Sequence, residues 1–333
     1  MIRVTPPLCA CRLNEVSGRV YESQRSFHSE SSLFTSSTPM SFQTKALVSA
    51  RWLSEALRAR GSAVRVLDAS WFLPKHGRDA KSEFRSRHIP GASFFDLDRC
   101  SDRSSPMDHM LPPAFAFAEF ASRLGVAPGS HVVVYDRSEH GAFSSPRAWW
   151  MFRVFGHSDV SVLDGGLHAW IRDGQPVEEG KARKHEPTEF TATLNRAWVK
   201  TYQDILDNVE TKEFQLVDAR PAGRFRGTDP EPRDNTEPGH IPGSINIPFT
   251  TFLAPSGLFL SPDQLRAVFQ QAGVDLQWPL CVTCGSAITA CLAALAAHQC
   301  GHSDISVYDG GWMEWYTRAT PELVISEGRG KHL

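Results

Sequence analysis

Two short apolar runs, His131-Val132-Val133-Val134-Tyr135 and Leu280-Cys281-Val282-Thr283, lack the polar alternation of a half-exposed strand. They predict strands covered on both faces, at the centre of their sheets. Helical patterns lie around them, including Ser49 to Leu57 and Ile288 to His298, and Gly301 stands at the C′ position that stops the second. Alternating strands and helices imply an α/β fold with a mainly parallel sheet flanked by helices, with active-site loops at the carboxyl ends of the strands. The longest apolar stretch, Leu280 to Cys300, is broken by Gly285, Ser286, Thr289, His298 and Gln299. It reads as a strand, a loop and a buried helix, not as a membrane span.

The pattern occurs twice. Val66-Leu67-Asp68-Ala69 returns 150 positions later as Leu216-Val217-Asp218-Ala219, and His88-Ile89-Pro90-Gly91 returns 152 later as His240-Ile241-Pro242-Gly243. GHSDVSVLDGG, from Gly156 to Gly166, reappears as GHSDISVYDGG from Gly301 to Gly311, with nine of eleven residues identical. A period near 150 is far too long for a solenoid and suits whole domains. The expected organisation is a leader over 1–43, one domain over 44–173, a polar linker over 174–187 and a second domain over 188–333.

Residues 1–43 lack periodicity, carry eight Ser before Met40, and hold Arg3, Arg12, Arg19 and Arg25 without Lys or Asp. Such a leader fits a mitochondrial transit peptide, although Glu15, Glu22 and Glu30 are more acidic residues than these segments usually contain. The alternative is a dispensable tail. Initiation at Met40 would yield an untargeted form, so the expected location is mitochondrial, cytoplasmic or both.

Thirty-five basic against 37 acidic residues leave a net charge of −2, spread along the chain, with no footprint for nucleic acid. Seven Cys in 333 residues do not make a secreted disulfide framework.

Aligned by their strands, the copies set Tyr135-Asp136 opposite Thr283-Cys284, so one copy alone has a thiol there. Cys284 falls where a buried strand ends, before the compact loop Gly285-Ser286-Ala287-Ile288-Thr289 and a helix. Loop amides and a helix N-terminus cradle an anion and favour thiolate, which makes Cys284 a candidate nucleophile; an inert buried thiol is the alternative. Cys281-Val282-Thr283-Cys284 also spells a CxxC redox pair, but Cys281 occupies a core position in the strand. His298, Cys300 and His302 lack a second ligand cluster and do not make a metal site. Cys100, Cys291 and Cys300 read as packing residues unless exposed to oxidation. A phosphatase of the Cys-x5-Arg type is disfavoured by Ala290, six positions after Cys284.

The two copies, their HIPG and DGG segments, the Cys284-Gly285-Ser286 loop and the closing Ser326-Glu327-Gly328-Arg329-Gly330-Lys331 together resemble the 3-mercaptopyruvate sulfurtransferases of the tandem rhodanese-domain family. The resemblance covers roughly Ala46 to Lys331. It implies two rhodanese-like domains with the active site between them, and sulfur transfer from 3-mercaptopyruvate through a Cys284 persulfide to a thiol such as thioredoxin or glutathione. Pyruvate is released, hydrogen sulfide is one potential product, and no cofactor or metal is needed. It further implies Arg224 and Arg233 as carboxylate binders, Gly285, Ala287, Ile288 and Thr289 as further substrate contacts, and a relay of Asp98, His109 and Ser286. Without it, Arg224 and Arg233 read as solvated loop arginines paired with Asp or Glu, and Asp98 and His109 as ordinary interdomain contacts. Thiosulfate sulfurtransferases carry basic residues directly after the cysteine, where this chain has Gly285 and Ser286. Ala287 departs from the family glycine, so a left-handed backbone there would be strained. Thiosulfate:cyanide transfer and a rhodanese-like binding scaffold are the competing functions.

Overall fold

A computed structural model describes residues 44–331, so the expected leader over 1–43 lies outside the described residues, as do Cys9 and Cys11. The first sheet contains β1 (Leu47–Val48), β2 (Val64–Asp68), β3 (Ser93–Phe94), β4 (His131–Tyr135) and β5 (Val160–Leu163), in the order β1-β5-β4-β2-β3. The second contains β6 (Val199–Lys200), β7 (Gln215–Asp218), β8 (Ile245–Asn246), β9 (Leu280–Thr283) and β10 (Ile305–Tyr308), in the order β6-β10-β9-β7-β8. All pairings in both sheets are parallel. The two uninterrupted apolar runs form β4 and β9, the central strands, whose burial on both faces left no room for alternation.

Register confirms the alignment of the copies: Asp68 pairs with Tyr135 as Asp218 pairs with Thr283. Asp136 and Cys284 are therefore equivalent positions. Ser49 caps the helix Ala50–Arg60, its side chain accepting from the Trp52 amide at 3.2 Å.

The repeated motifs have mechanical roles. In each HIPG segment the histidine ring bonds a carbonyl and stacks on a phenylalanine: His88 on Phe84 at 4.0 Å, His240 on Phe225 at 3.9 Å. The last glycine of each DGG, Gly166 and Gly311, has φ near +60° and lies under the loop leaving the central strand. A Cβ on Gly311 would come within 2.7 Å of the Gly285 oxygen and 2.8 Å of the Cys284 oxygen. The following amides close the contact, Leu167 donating to the Asp136 carbonyl at 2.9 Å and Trp312 to that of Cys284 at 2.7 Å.

Residues 174–187, expected as a polar linker, are tied to the first copy. Glu178 bridges His88 in antiparallel fashion, as Ile325 bridges His240, so this stretch closes the first copy just as the C-terminal segment closes the second. Residues 188–195 also pack on the first copy: Asn195 donates to the Val154 carbonyl at 2.7 Å, and Phe190 meets Phe117 and Phe152. Polar composition marked the chain as a connection, but paired backbone groups hold it against the first domain.

The domains meet along the helices Ser145–Val154 and Ile288–Gln299. The second is apolar on every side, as a helix covered all round must be. Each DGG aspartate reaches across the interface, Asp164 accepting from the Phe259 amide at 2.8 Å and Asp309 from the Leu111 amide at 2.7 Å. Asp309 also pairs with buried Arg147 at 2.8 Å. Among the described residues, no helix is long and apolar enough to cross a membrane.

Candidate active site

Cys284 follows the last residue of β9 and is only 2% exposed. The helix begins at Ile288, as its pattern predicts, and runs to Gln299, so Ile288 and Thr289 belong to its first turn and the loop proper is Gly285 to Ala287. Ala287 is the N-cap, with φ 55° and ψ 19°. A left-handed alanine costs about 1–2 kcal/mol, so the departure from glycine falls where the backbone is strained.

A cavity of about 590 Å³ opens onto Cys284, Gly285, Ser286, Ile288 and Thr289. Its other walls include Arg224, Arg233 and Phe249, with Trp71, Lys75 and Glu139 from the first domain. Ala287, expected beside the substrate, is fully buried and does not line the cavity. Its carbonyl instead accepts from the buried Cys291 thiol at 3.1 Å.

The two arginines converge on the loop. A Cβ at Gly285 would lie 3.2 Å from one Arg224 nitrogen and 3.9 Å from one of Arg233. Both are also ion-paired. Glu231 takes Arg224 in bidentate fashion and receives Arg220 at 2.9 Å, while Arg233 donates to Asp108 at 2.8 Å and to the Ser286 hydroxyl at 3.3 Å. The Glu231 side chain, 4% exposed, thus fixes the plane of the Arg224 fork, and the Nη2 that it holds is also the Arg224 nitrogen close to Gly285.

Asp98, His109 and Ser286, distant in sequence, form one chain. His109 Nδ1 lies 3.0 Å from Ser286 Oγ, and Nε2 lies 3.2 Å from Asp98 Oδ1. His109 is buried, with φ 65°, and its carbonyl accepts from Arg147. The hydrogen bond from His109 holds the Asp98 carboxyl below its ordinary range, against the opposing effect of partial burial. Trp71 completes the support, donating to Asp98 at 3.0 Å and setting its ring edge-on to His109 at 4.7 Å. Trp71, Glu231 and the Arg147–Asp309 pair were not singled out from the sequence; Trp71 could have been sought just beyond the carboxyl end of β2.

Cys281 lies three positions before Cys284 on a strand, so the two side chains leave opposite faces. Cys281 packs with Tyr308 and Trp312 in a separate core, where burial pushes its thiol up to about 12. Burial also raises Cys100 and Cys291, and pushes Cys300 up to about 11. Among the candidate metal ligands, His302 bonds the carbonyls of Leu276 and Asp304, while His298 packs on Trp149 and Trp198 and is pushed down to about 4 by burial.

The family profile described as Rhodanese-like domain matches residues 49–173 and 201–318. The chain belongs to the tandem rhodanese-domain sulfurtransferase family. This tandem rhodanese chain is 60% identical over 289 residues to human 3-mercaptopyruvate sulfurtransferase, covering 86% of the chain and 97% of that protein. It is 50% identical over 289 residues to bovine thiosulfate sulfurtransferase, with coverage of 86% and 97%. Among solved structures, SseA from Escherichia coli, described as a 3-mercaptopyruvate sulfotransferase of rhodanese fold, aligns with a TM-score of 0.73 and 38% identity, over 81% of this chain and 99% of that one.

Proposed function

We propose that the chain is a 3-mercaptopyruvate sulfurtransferase working through a Cys284 persulfide. Cys284 thiolate attacks the mercaptopyruvate sulfur. The carbon–sulfur bond breaks with its electron pair passing to carbon, so pyruvate leaves as its enolate and takes up a proton. The sulfur remains as Cys284–S–SH. An acceptor thiolate, such as that of thioredoxin or glutathione, then attacks the outer sulfur and frees Cys284; a second thiol reducing the product persulfide releases hydrogen sulfide.

The observation that carries this reading is the convergence of Arg224 and Arg233 on Gly285, one residue from the nucleophile. Forked guanidinium groups suit the donor's single carboxylate and can hold it while its sulfur meets Cys284. Ser286, bonded to His109, is positioned to supply the proton that the enolate needs, with Asp98 orienting the imidazole. Amides of the Cys284 loop stabilise thiolate and persulfide, so the scheme requires neither metal nor organic cofactor.

Thiosulfate:cyanide transfer is the second reading, supported by the bovine relative. The compact thiosulfate dianion calls for cations beside the sulfur, and Gly285 and Ser286 contribute none. A binding scaffold is the third, favoured only by the strained Ala287. Measuring pyruvate from mercaptopyruvate alongside thiocyanate from thiosulfate and cyanide separates the three: faster thiocyanate formation supports the second, and neither product supports the third. For location, we propose that residues 1–43 direct the chain to mitochondria; a fluorescent fusion of that segment remaining diffuse in the cytosol would refute it.

A further inference from the structure

The two aspartates that cross between the domains differ in their partners. Asp164 accepts from the Phe259 amide at 2.8 Å and has no ion pair among the described residues; Arg172 acts on it from farther away. Asp309 makes the matching contact with the Leu111 amide at 2.7 Å and is also paired with Arg147 at 2.8 Å. We infer that Arg147 is a positioning residue for the reaction: together with Asp309 it holds the backbone of His109 so that the imidazole meets Ser286. This rests on the reading of Asp98, His109 and Ser286 as a proton relay.

His109 needs such support. It belongs to the first domain and Ser286 to the second, so its ring must be carried across the interface. It lies in an irregular segment between β3 and the helix Ala114–Arg123, and its φ of 65° is one that a non-glycine residue keeps only where the surroundings impose it. Its own domain holds the next residue, the Met110 carbonyl accepting from the Asp102 amide at 2.8 Å. The groups on either side go to the pair: the His109 carbonyl accepts from Arg147, and the Leu111 amide donates to Asp309.

Arg147 is built for this task. Its side chain is 1% exposed and its guanidinium lies over the Trp150 ring at 4.5 Å, so the fork is fixed before it meets a partner. One terminal nitrogen takes the His109 carbonyl while the other faces Asp309. Arg147 does not line the cavity, so it acts through His109 and not on the substrate. Duplication supplies the comparison. The counterpart helix, Ile288–Gln299, has no Arg or Lys to offer Asp164, so the guanidinium stands only on the side where a histidine has to be aimed.

A double-mutant cycle on the full chain, read as pyruvate formation from mercaptopyruvate, tests the inference. Arg147→Lys keeps the charge but cannot span both partners, and Asp309→Asn keeps an acceptor for Leu111 but removes the charge facing Arg147. Each should lower kcat about 5 to 50-fold, within the roughly 100-fold that 1 Å of misplacement can cost, with KM changed by less than about twofold because Arg224 and Arg233 hold the donor independently. His109→Ala alone should lower kcat about 100-fold or more, and in that background neither substitution should lower it further. Asp164→Asn, on the other crossing, should leave kcat and KM unchanged. Should Arg147→Lys not fold, the cycle with Asp309→Asn decides by the same criteria. Equal losses with and without His109 would mark the pair as merely structural and overturn the inference, as would a loss confined to KM. A silent His109→Ala would remove the relay and this inference together, whereas a slow His109→Ala beside silent Arg147→Lys and Asp309→Asn would sink the positioning role alone.

Discussion

Asp136 of the first domain occupies the position of Cys284 in the second, and its carboxylate is held by the backbone amides of its own loop. One oxygen accepts from Phe143 and Ser144 at 2.9 Å and from Ser145 at 2.7 Å, and the other from Ser138 at 2.9 Å. The first copy thus displays a loop of this fold binding a carboxylate at the strand end. Asp136→Ala should lower stability by about 2–4 kcal/mol, since several buried amides lose a charged partner, and urea denaturation would measure it.

Cys284→Ser should abolish sulfur transfer with the fold intact, whereas Cys281→Ala should retain most activity. Alkylation followed by peptide mapping should find Cys284 modified before Cys100, Cys281, Cys291 and Cys300, whose thiols burial pushes up. Equal loss in both variants would revive the redox-pair reading.

If Arg224 and Arg233 hold the donor carboxylate as proposed, removing either should lower kcat/KM about 10 to 150-fold, the equivalent of one charged hydrogen bond of roughly 1.5–3 kcal/mol. Glu231→Gln should produce a smaller loss concentrated in KM, because the Arg224 fork remains but is less firmly oriented. Gly285→Arg together with Ser286→Lys should shift preference toward thiosulfate. It should also weaken mercaptopyruvate binding, since a side chain at 285 must displace the Arg224 nitrogen 3.2 Å away. Silent arginine variants would refute this account of specificity even if Cys284 proved essential.

Ala287→Gly should relieve the left-handed strain at φ 55°, with a net gain of about 0–1 kcal/mol after the added freedom of glycine in the unfolded chain. Ala287→Val should cost more than about 1 kcal/mol, as a β-branched residue tolerates that conformation poorly. Thermal melts of the two variants would check the order.

Burial pushes the interface carboxyl Asp164 up to about 6. Its charged form is disfavoured in the folded chain, so its contribution is fully present below the unfolded value near 4 and is lost as pH rises to about 6. Stability should therefore fall across that window by up to about 2–3 kcal/mol from this group, and Asp164→Asn should flatten that component in urea titrations at several pH values.

The central strands, the duplication and the position of Cys284 were legible because each leaves a local mark: an apolar run, a repeated segment, a thiol in one copy alone. The family resemblance also pointed to Asp98, His109, Arg224 and Arg233. Trp71 and Glu231 left no comparable mark, because their importance comes from what they touch after folding. The attachment of the linker over 174–187 to the first domain was not legible for a related reason: its polarity is genuine, while the backbone bonds that hold it, such as those between His88 and Glu178, are nonlocal.

The crossed contacts of Asp164 and Asp309 give the chain the form of a dimer folded from one polypeptide. Two identical domains related by a twofold axis would make both bonds with a single aspartate and would enclose two equivalent clefts. In this chain the two sides differ. Where one sets His109 against Ser286, the other brings Gly257 against Gly141 so closely that any side chain at Gly141 would strike the Gly257 carbonyl. The first domain, with Asp136 where its neighbour has Cys284, lends His109 to the loop that follows that cysteine.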